Sequence, residues 1–189
     1  MGGSTKRAFR VGMLTFFLSI SISLLFQLTQ TRTTYWVSVF VLLAVIFLGI
    51  IFDLIGTATT AASEKPFHAM ASDRVDGAKK AIELVRKADQ VANFCNDVVG
   101  DICGTVSGSI SAALVIDFAI NNKLVSYQDL MSLLVVGLVS AVTVGGKAAS
   151  KSLAIKKSSV IVLKTAFLME KFEHYFGWKR QPGSGKDKR

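Results

Sequence analysis

The chain has 189 residues, 51% of them hydrophobic, and carries a formal net charge of +9 at pH 7. Its mean hydropathy is positive. This composition excludes an intrinsically disordered chain and argues against a water-soluble globule. We therefore predict one all-α, integral membrane domain (residues 11–178) between a basic cytosolic amino terminus (1–10) and a disordered polar tail (179–189).

Four apolar segments predict four transmembrane helices. They cover residues 11–29, 35–62, 94–120 and 129–146. A bilayer core requires about 20 residues of helix, within a range of about 17 to 25, and each segment meets or approaches that length. The first segment follows basic residues, as a signal peptide would, but Phe26–Thr29 offers no small-x-small cleavage site. We interpret it as a retained anchor.

The distribution of lysine and arginine predicts the orientation, because cationic side chains resist translocation. If the amino terminus is inside, only Arg32 and Lys123 of the 22 basic residues lie outside. We expect a multi-pass protein of the cell membrane with both termini cytoplasmic, and a compact chain without a sorting signal favours a bacterial one. The basic charge then faces anionic lipid headgroups, and we expect no nucleic-acid binding.

Two cytoplasmic segments are predicted to be basic amphipathic helices at the membrane interface. Residues 73–90 place apolar side chains at three- and four-residue intervals, with lysines and arginines on other faces. Residues 150–178 mix lysines with aromatic residues such as Phe167, Phe172 and Trp178, which suit headgroup depth. The alternative for this second segment is a solvated helix of a cytosolic subdomain, which we disfavour because nothing soluble follows for it to pack on.

The sequence contains no recognisable enzymatic template. It has no nucleophile elbow, no phosphate-binding glycine loop with its lysine and no HExxH. Cys95 and Cys103 stand roughly 12 Å apart in one predicted helix and cannot bridge within it. His68 and His174 complete no zinc spacing with them. We predict neither an enzyme nor an organic cofactor, although membrane aspartates can do chemistry without a local motif.

Ionisable residues within the predicted transmembrane helices are candidate site residues, because a charge in hydrocarbon costs several kcal/mol unless it is paired, hydrated or bound to an ion. Asp53 opens a run of small and hydroxyl residues, 56–63, that is too polar to face lipid. Asp101 lies in the third predicted helix and Lys147 at the inner end of the fourth. We expect Asp117, near an outer helix end, to be solvated.

Asp101 lies beside a face of glycines at four-residue spacing, Gly100, Gly104 and Gly108. Close helix packing explains these glycines but not the carboxylate. Carboxylates, glycine carbonyls and threonine hydroxyls are the oxygen donors that Mg²⁺ or Na⁺ takes. Two interpretations remain open. Asp53 and Asp101 hold a cation, or Lys147 forms an internal salt bridge with one of them and no ion binds.

Three short motifs resemble the transmembrane domain of the cyclin M/CorC family. FDLIGTATTAAS (52–63) is similar to the family's F-S-x-S-E-T-A-L-T-x-x-S, VVGDICGTV (98–106) to I-I-G-N-N-L-V-N-I, and GKAASKSLA (146–154) to G-E-x-x-P-K-T-L-A. Members of the family are homodimers associated with magnesium efflux coupled to sodium. The resemblance implies a homodimer with a metal site at Asp53, Asp101, Gly104 and Thr105.

The chain departs from the family motifs at the site itself. Asp53 replaces a serine, Asp101 an asparagine, Lys147 a glutamate and Ser150 a proline. The site is then either a rearranged cation site, in a transporter of a divalent cation, or one whose ion Lys147 replaces. The second alternative is a non-transporting scaffold or accessory subunit that grips lipid or a membrane-protein partner. The family's cytosolic nucleotide-binding domains, and regulation by ATP, are not expected.

Overall fold

The computed structural model describes residues 9, 12–13, 15–24 and 35–175. In these ranges every regular element is a helix, so the all-α prediction is confirmed there. The helices are α1 (Thr15–Leu24), α2 (Tyr35–Ala61), α3 (Lys65–Ser72), α4 (Ala78–Arg86), α5 (Ala88–Ala92), a π-helical segment (Asn93–Val99), α6 (Gly100–Asn121), a 3-10 turn (Val125–Tyr127), α7 (Gln128–Lys156) and α8 (Ser158–Tyr175).

Three helical spans in the described ranges are long and apolar enough to cross a membrane. They are Tyr35–Ala61, Ala88–Asn121 and Val125–Lys156. The predicted first segment, 11–29, contains the shorter apolar helix α1, and the rest of that segment lies mostly outside the described residues. The predicted tail 179–189 and Trp178 also lie outside them.

The three long helices pack against one another. α2 and α6 share a core of aliphatic residues at helical spacing: Leu42, Ile46, Val98, Ile102, Val106, Ile110 and Leu114. α7 contacts both helices, and Val139 packs on the edge of this core. The outward faces of all three carry large apolar side chains, Phe40, Ile116 and Leu133 among them. Such a bundle presents a hydrocarbon-like surface on the outside.

α7 is longer than the predicted fourth helix, which ended at residue 146. It continues to Lys156 without interruption. The sequence suggests a break or bend at Val144–Lys147, but Gly146 remains helical and lies against the side chain of Ile50. Gly146 therefore permits the close approach of α7 to α2 and does not mark a turn.

A second core lies at the carboxyl-terminal ends of α2 and α7, where α3, α4 and α8 pack together. Its buried residues are Ala58, Phe67, Ala81, Leu84, Ala154, Val162 and Ala166. The predicted interfacial segment 73–90 comprises a turn followed by α4 and the start of α5, and α4 buries Ala78, Ala81 and Leu84. We call α3, α4 and α8 the α3–α4–α8 subdomain.

α8 packs on α4, a partner that the sequence analysis did not expect. Gly77, immediately before α4, has a φ of 81° and donates its backbone N–H to Glu170 Oε2 at 2.8 Å. A Cβ at Gly77 would lie 2.8 Å from the backbone nitrogen of Phe167. The turn before α4 and helix α8 are therefore in contact through main-chain atoms. Phe172 and Tyr175 nevertheless remain exposed on the surface of α8.

Candidate functional site

Asp53 is the buried charge of the three-helix bundle. Its side chain lies in the carboxyl-terminal half of α2 and is only 7% exposed. Its Oδ2 atom is buried and has no hydrogen-bond partner. A carboxylate in this position costs free energy unless another group compensates for its charge. The surroundings of Asp53 therefore define the candidate site.

Two glycines of α2 bring the neighbouring helix onto the Asp53 face. Gly49 and Gly56 lie one helical turn before and after Asp53. A Cβ at Gly49 would lie 3.0 Å from Cys103 Cβ, and one at Gly56 would overlap the side chain of Asn96. The Asp53 face is thus bounded by Cys103 on one side and by Asn96 on the other.

Asn96 supplies a second buried oxygen atom. It belongs to the π-helical segment, and its Oδ1 atom is buried without a hydrogen-bond partner. This oxygen touches α2 at Gly56, three residues and about 4.5 Å along the helix axis from Asp53. Two unsatisfied side-chain oxygens therefore face the same short stretch of the helix interface.

Lys147 reaches the same junction from α7. Its residue is half-buried, and its Nζ lies 3.2 Å from the point that a Cβ on Gly100 would occupy. The carbonyl oxygen of Cys95 lies 3.7 Å from that point. Within the described ranges Lys147 forms no ion pair with a carboxylate. The ammonium group is therefore close to the Asp53 face without neutralising it through direct contact.

The other predicted site residues lie elsewhere on α6. Asp101, Gly104 and Thr105 are exposed, and the space beside Gly104 is open. The Thr105 hydroxyl donates to the Asp101 and Ile102 carbonyl oxygens of its own helix, both at 3.0 Å. The structure thus buries Asp53 and places Lys147 beside Gly100, while Asp101, Gly104 and Thr105 lie on an exposed face.

Asn96 was missed by the sequence analysis, although a signal for it existed. Asn96, Gly100 and Cys103 are spaced by four and three residues, which places them on one helix face. The glycines of α6 predicted close packing there, so a polar amide on the Gly100 face was a candidate for the interior. The sequence analysis instead predicts an ordinary transmembrane helix from residue 94.

The side chains of Asp53 and Asn96 offer oxygen atoms to a cation, and Lys147 offers an ammonium group. A carboxylate and an amide oxygen are ligands of the kind that Na⁺ or Mg²⁺ takes, and a lysine ammonium can substitute for an ion. No group of three or more histidine, cysteine, aspartate or glutamate side chains with metal-binding spacing occurs in the part of the chain that the structure describes.

No protein-family model, curated protein or solved structure matches the chain. The class of protein accordingly rests on the fold and the site. Three long apolar helices are compatible with a multi-pass membrane protein. A buried carboxylate at their junction is the feature on which a function can be proposed.

Proposed function

We propose that this protein binds a cation, Mg²⁺ or Na⁺, at the junction of α2, α6 and α7, and that it is a divergent relative of the magnesium transporters that exchange against sodium. The observation that carries the proposal is the Asp53 carboxylate, 7% exposed and with an unpartnered oxygen. A bound cation would compensate for the negative charge of Asp53 and would coordinate its unpartnered oxygen atom.

The depth of Asp53 supports this proposal. Asp53 lies about 27 Å along the axis of α2 from Tyr35, at about 1.5 Å per residue. Lys147 lies at a similar distance from the start of α7. A bilayer core is about 30 Å thick, so both groups would sit at the inner edge of the hydrocarbon. An ion entering there from the cytoplasm would reach Asp53 without crossing the membrane core.

The proposed topology has four transmembrane helices, with residues 11–29 as the first. Both termini would be cytoplasmic, in a bacterial cell membrane, and α3, α4 and α8 would lie on the inner surface. The exposed Phe172 and Tyr175 would meet the headgroup layer, and lysines of α8 would meet anionic lipid. We further propose a homodimer, as the resemblance implies.

Cation-dependent thermal unfolding tests the proposal. Purified protein in lipid nanodiscs is heated in choline chloride and in equal ionic strengths of NaCl and MgCl₂. We expect one of the cations to raise the Tm of the wild type, because a ligand that binds only the folded state stabilises it. Asp53→Asn should abolish that rise.

Asp101→Asn is the matched control, because it removes an exposed carboxylate from α6. We expect it to respond to cations like the wild type. A loss of response in Asp101→Asn as well would place Asp101 in the site, as the resemblance implies. An Asp53→Asn protein that still responds fully would contradict the proposal. Mg²⁺ and Na⁺ fluxes into proteoliposomes then distinguish binding from transport.

The second candidate function is a non-transporting scaffold or accessory subunit. The position of Lys147 Nζ beside Gly100 favours it, because the ammonium lies at the packed interface of α6 with its neighbours and could compensate for the charge of Asp53 there. In that case Lys147→Met lowers the Tm, since it leaves a buried carboxylate uncompensated. Added cations then leave the Tm of the wild type unchanged.

A further inference from the structure

We propose that Asn96 is the second oxygen ligand of the junction and that Asp53 and Asn96 together take a monovalent cation of the Na⁺ class in preference to a divalent one. This inference rests on the proposed function, since it names the ligand and the ion class of the same site. It assigns a role to a residue outside the three family-like motifs.

Two asparagines of the π-helical segment differ in a way that points to Asn96. Asn93 is exposed, and its amide donates to Asp97 Oδ2 at 2.6 Å. Asn96 turns inward, and its Oδ1 atom has no partner. A buried polar atom left unpaired destabilises the folded protein. An oxygen held at that cost, close to an unpartnered carboxylate, is suited to accept a cation.

The backbone around Asn96 is specialised for the same contact. π-helical turns inside longer helices are rare and occur frequently at functional sites. On the opposite helix, Gly56 leaves the space that the Asn96 side chain fills, since any Cβ there would overlap it. The π-helical turn and the absence of a side chain at Gly56 together allow the Asn96 amide to reach the Asp53 face of α2.

The charges at the junction favour a monovalent ion. Its named ionic groups are one carboxylate, Asp53, and one ammonium, Lys147, which carry no net charge together. A divalent ion would leave a net charge of +2 at the edge of the hydrocarbon, and a monovalent ion +1. The desolvation cost of a charge grows with its square, so the divalent ion is penalised about four times as strongly. Mg²⁺ also gives up its water reluctantly.

The test measures Na⁺ and Mg²⁺ binding to the full chain in nanodiscs by titration calorimetry, at constant ionic strength maintained with choline chloride. We expect the wild type to bind Na⁺ more tightly than Mg²⁺. Asn96→Ala should weaken Na⁺ binding by about tenfold or more, a loss typical of a metal-site residue. Asn93→Ala, in the same π-helical segment, is the control and should change it by less than about twofold.

Asn96→Asp keeps the shape of the side chain and adds a second carboxylate. We expect it to shift the preference towards Mg²⁺ by about tenfold or more, because two carboxylates compensate a divalent charge. This variant keeps the inference testable if Asn96→Ala fails to fold, since an unchanged ratio of Na⁺ to Mg²⁺ affinity in Asn96→Asp would overturn it.

The remaining outcomes separate this inference from the proposed function. Loss of binding in Asp53→Asn, with unchanged binding in Asn96→Ala, overturns the role of Asn96 and leaves the cation site in place. Tighter binding of Mg²⁺ than of Na⁺ by the wild type overturns the monovalent preference. A wild type that binds neither ion removes both the proposed function and this inference.

Discussion

The side-chain amide of Asn96 fills the space beside Gly56 that a Cβ at that position would need, with Asn96 Cγ 2.8 Å from the point that the Cβ would occupy. This contact joins the π-helical segment to α2 one helical turn from Asp53. A side chain added at position 56 would therefore displace the Asn96 amide.

Gly56→Ala is expected to destabilise the protein by about 1 to 3 kcal/mol, because the added methyl group overpacks the interface. It should also weaken cation binding, since the Asn96 amide has to move. Thermal unfolding of Gly56→Ala, Asn96→Ala and the double variant measures the coupling. We expect the double variant to be more stable than additivity predicts by about 0.5 to 3 kcal/mol. Strict additivity would show that the two residues do not touch.

Gly146→Ala and its neighbour Gly145→Ala form a second matched pair. A Cβ at Gly146 would collide with Ile50 Cδ1, whereas a Cβ at Gly145 meets nothing within 4 Å. We expect Gly146→Ala to lower stability by about 1 kcal/mol and Gly145→Ala to leave it unchanged or raise it, because alanine favours helix over glycine. Ile50→Val removes the colliding methyl group and should restore much of the stability of Gly146→Ala. Equal effects at 145 and 146 would contradict the packing of α7 on α2.

Gly77→Ala should destabilise the packing of the α3–α4–α8 subdomain. A left-handed φ costs a residue with a side chain about 1 to 2 kcal/mol, and the added Cβ would press on the backbone of Phe167, which cannot rotate away. We expect a loss of roughly 2 to 4 kcal/mol. Faster limited proteolysis between α3 and α4 measures it. Gly137→Ala, with open space around it on α7, is the control and should be digested like the wild type.

Glu64 links α3 to α4 through a pH-dependent contact. Arg86 Nε donates to Glu64 Oε2 at 3.1 Å, and this hydrogen bond, together with one from His68, holds the pKa of Glu64 below its ordinary value of 4.5. A lowered pKa stabilises the folded state above the ordinary value, and this stabilisation is lost as the pH falls through the lowered pKa. Arg86→Gln should therefore raise the pKa of Glu64, which carboxyl NMR titration measures. A pKa that Arg86→Gln leaves in place would contradict the contact.

The apolar periodicity of the chain was sufficient to predict the long helices but not their contacts. The predicted helix at 35–62 corresponds to Tyr35–Ala61, because a long and mostly apolar run of residues defines its extent. The position of Asp53 was recognised for the same reason, since a carboxylate interrupts that run. Hydropathy along the sequence indicates which residues lie in the apolar part of a helix. The position of Asp53 could therefore be predicted from the sequence alone.

Hydropathy does not record which face of a helix meets another helix. Asp101 and Asn96 lie on the same continuous helix, and only rotation about its axis decides that Asn96 faces α2 while Asp101 is exposed. The π-helical turn changes which face of the helix meets α2. No residue pattern in 93–99 predicts this turn. The docking of α8 on α4 is equally hidden, because it depends on Gly77 meeting Phe167 across a long separation in the sequence.

The contact between Gly77 and Glu170 spans 93 residues and therefore has a consequence for biosynthesis. At a translation rate of about 5 to 20 residues per second, roughly 5 to 20 s pass between the emergence of α4 from the ribosome and the arrival of its partner on α8. During this interval the buried face of α4, with Ala81 and Leu84, has no α8 to cover it. Until α8 is made, that apolar face of α4 remains uncovered on the nascent chain.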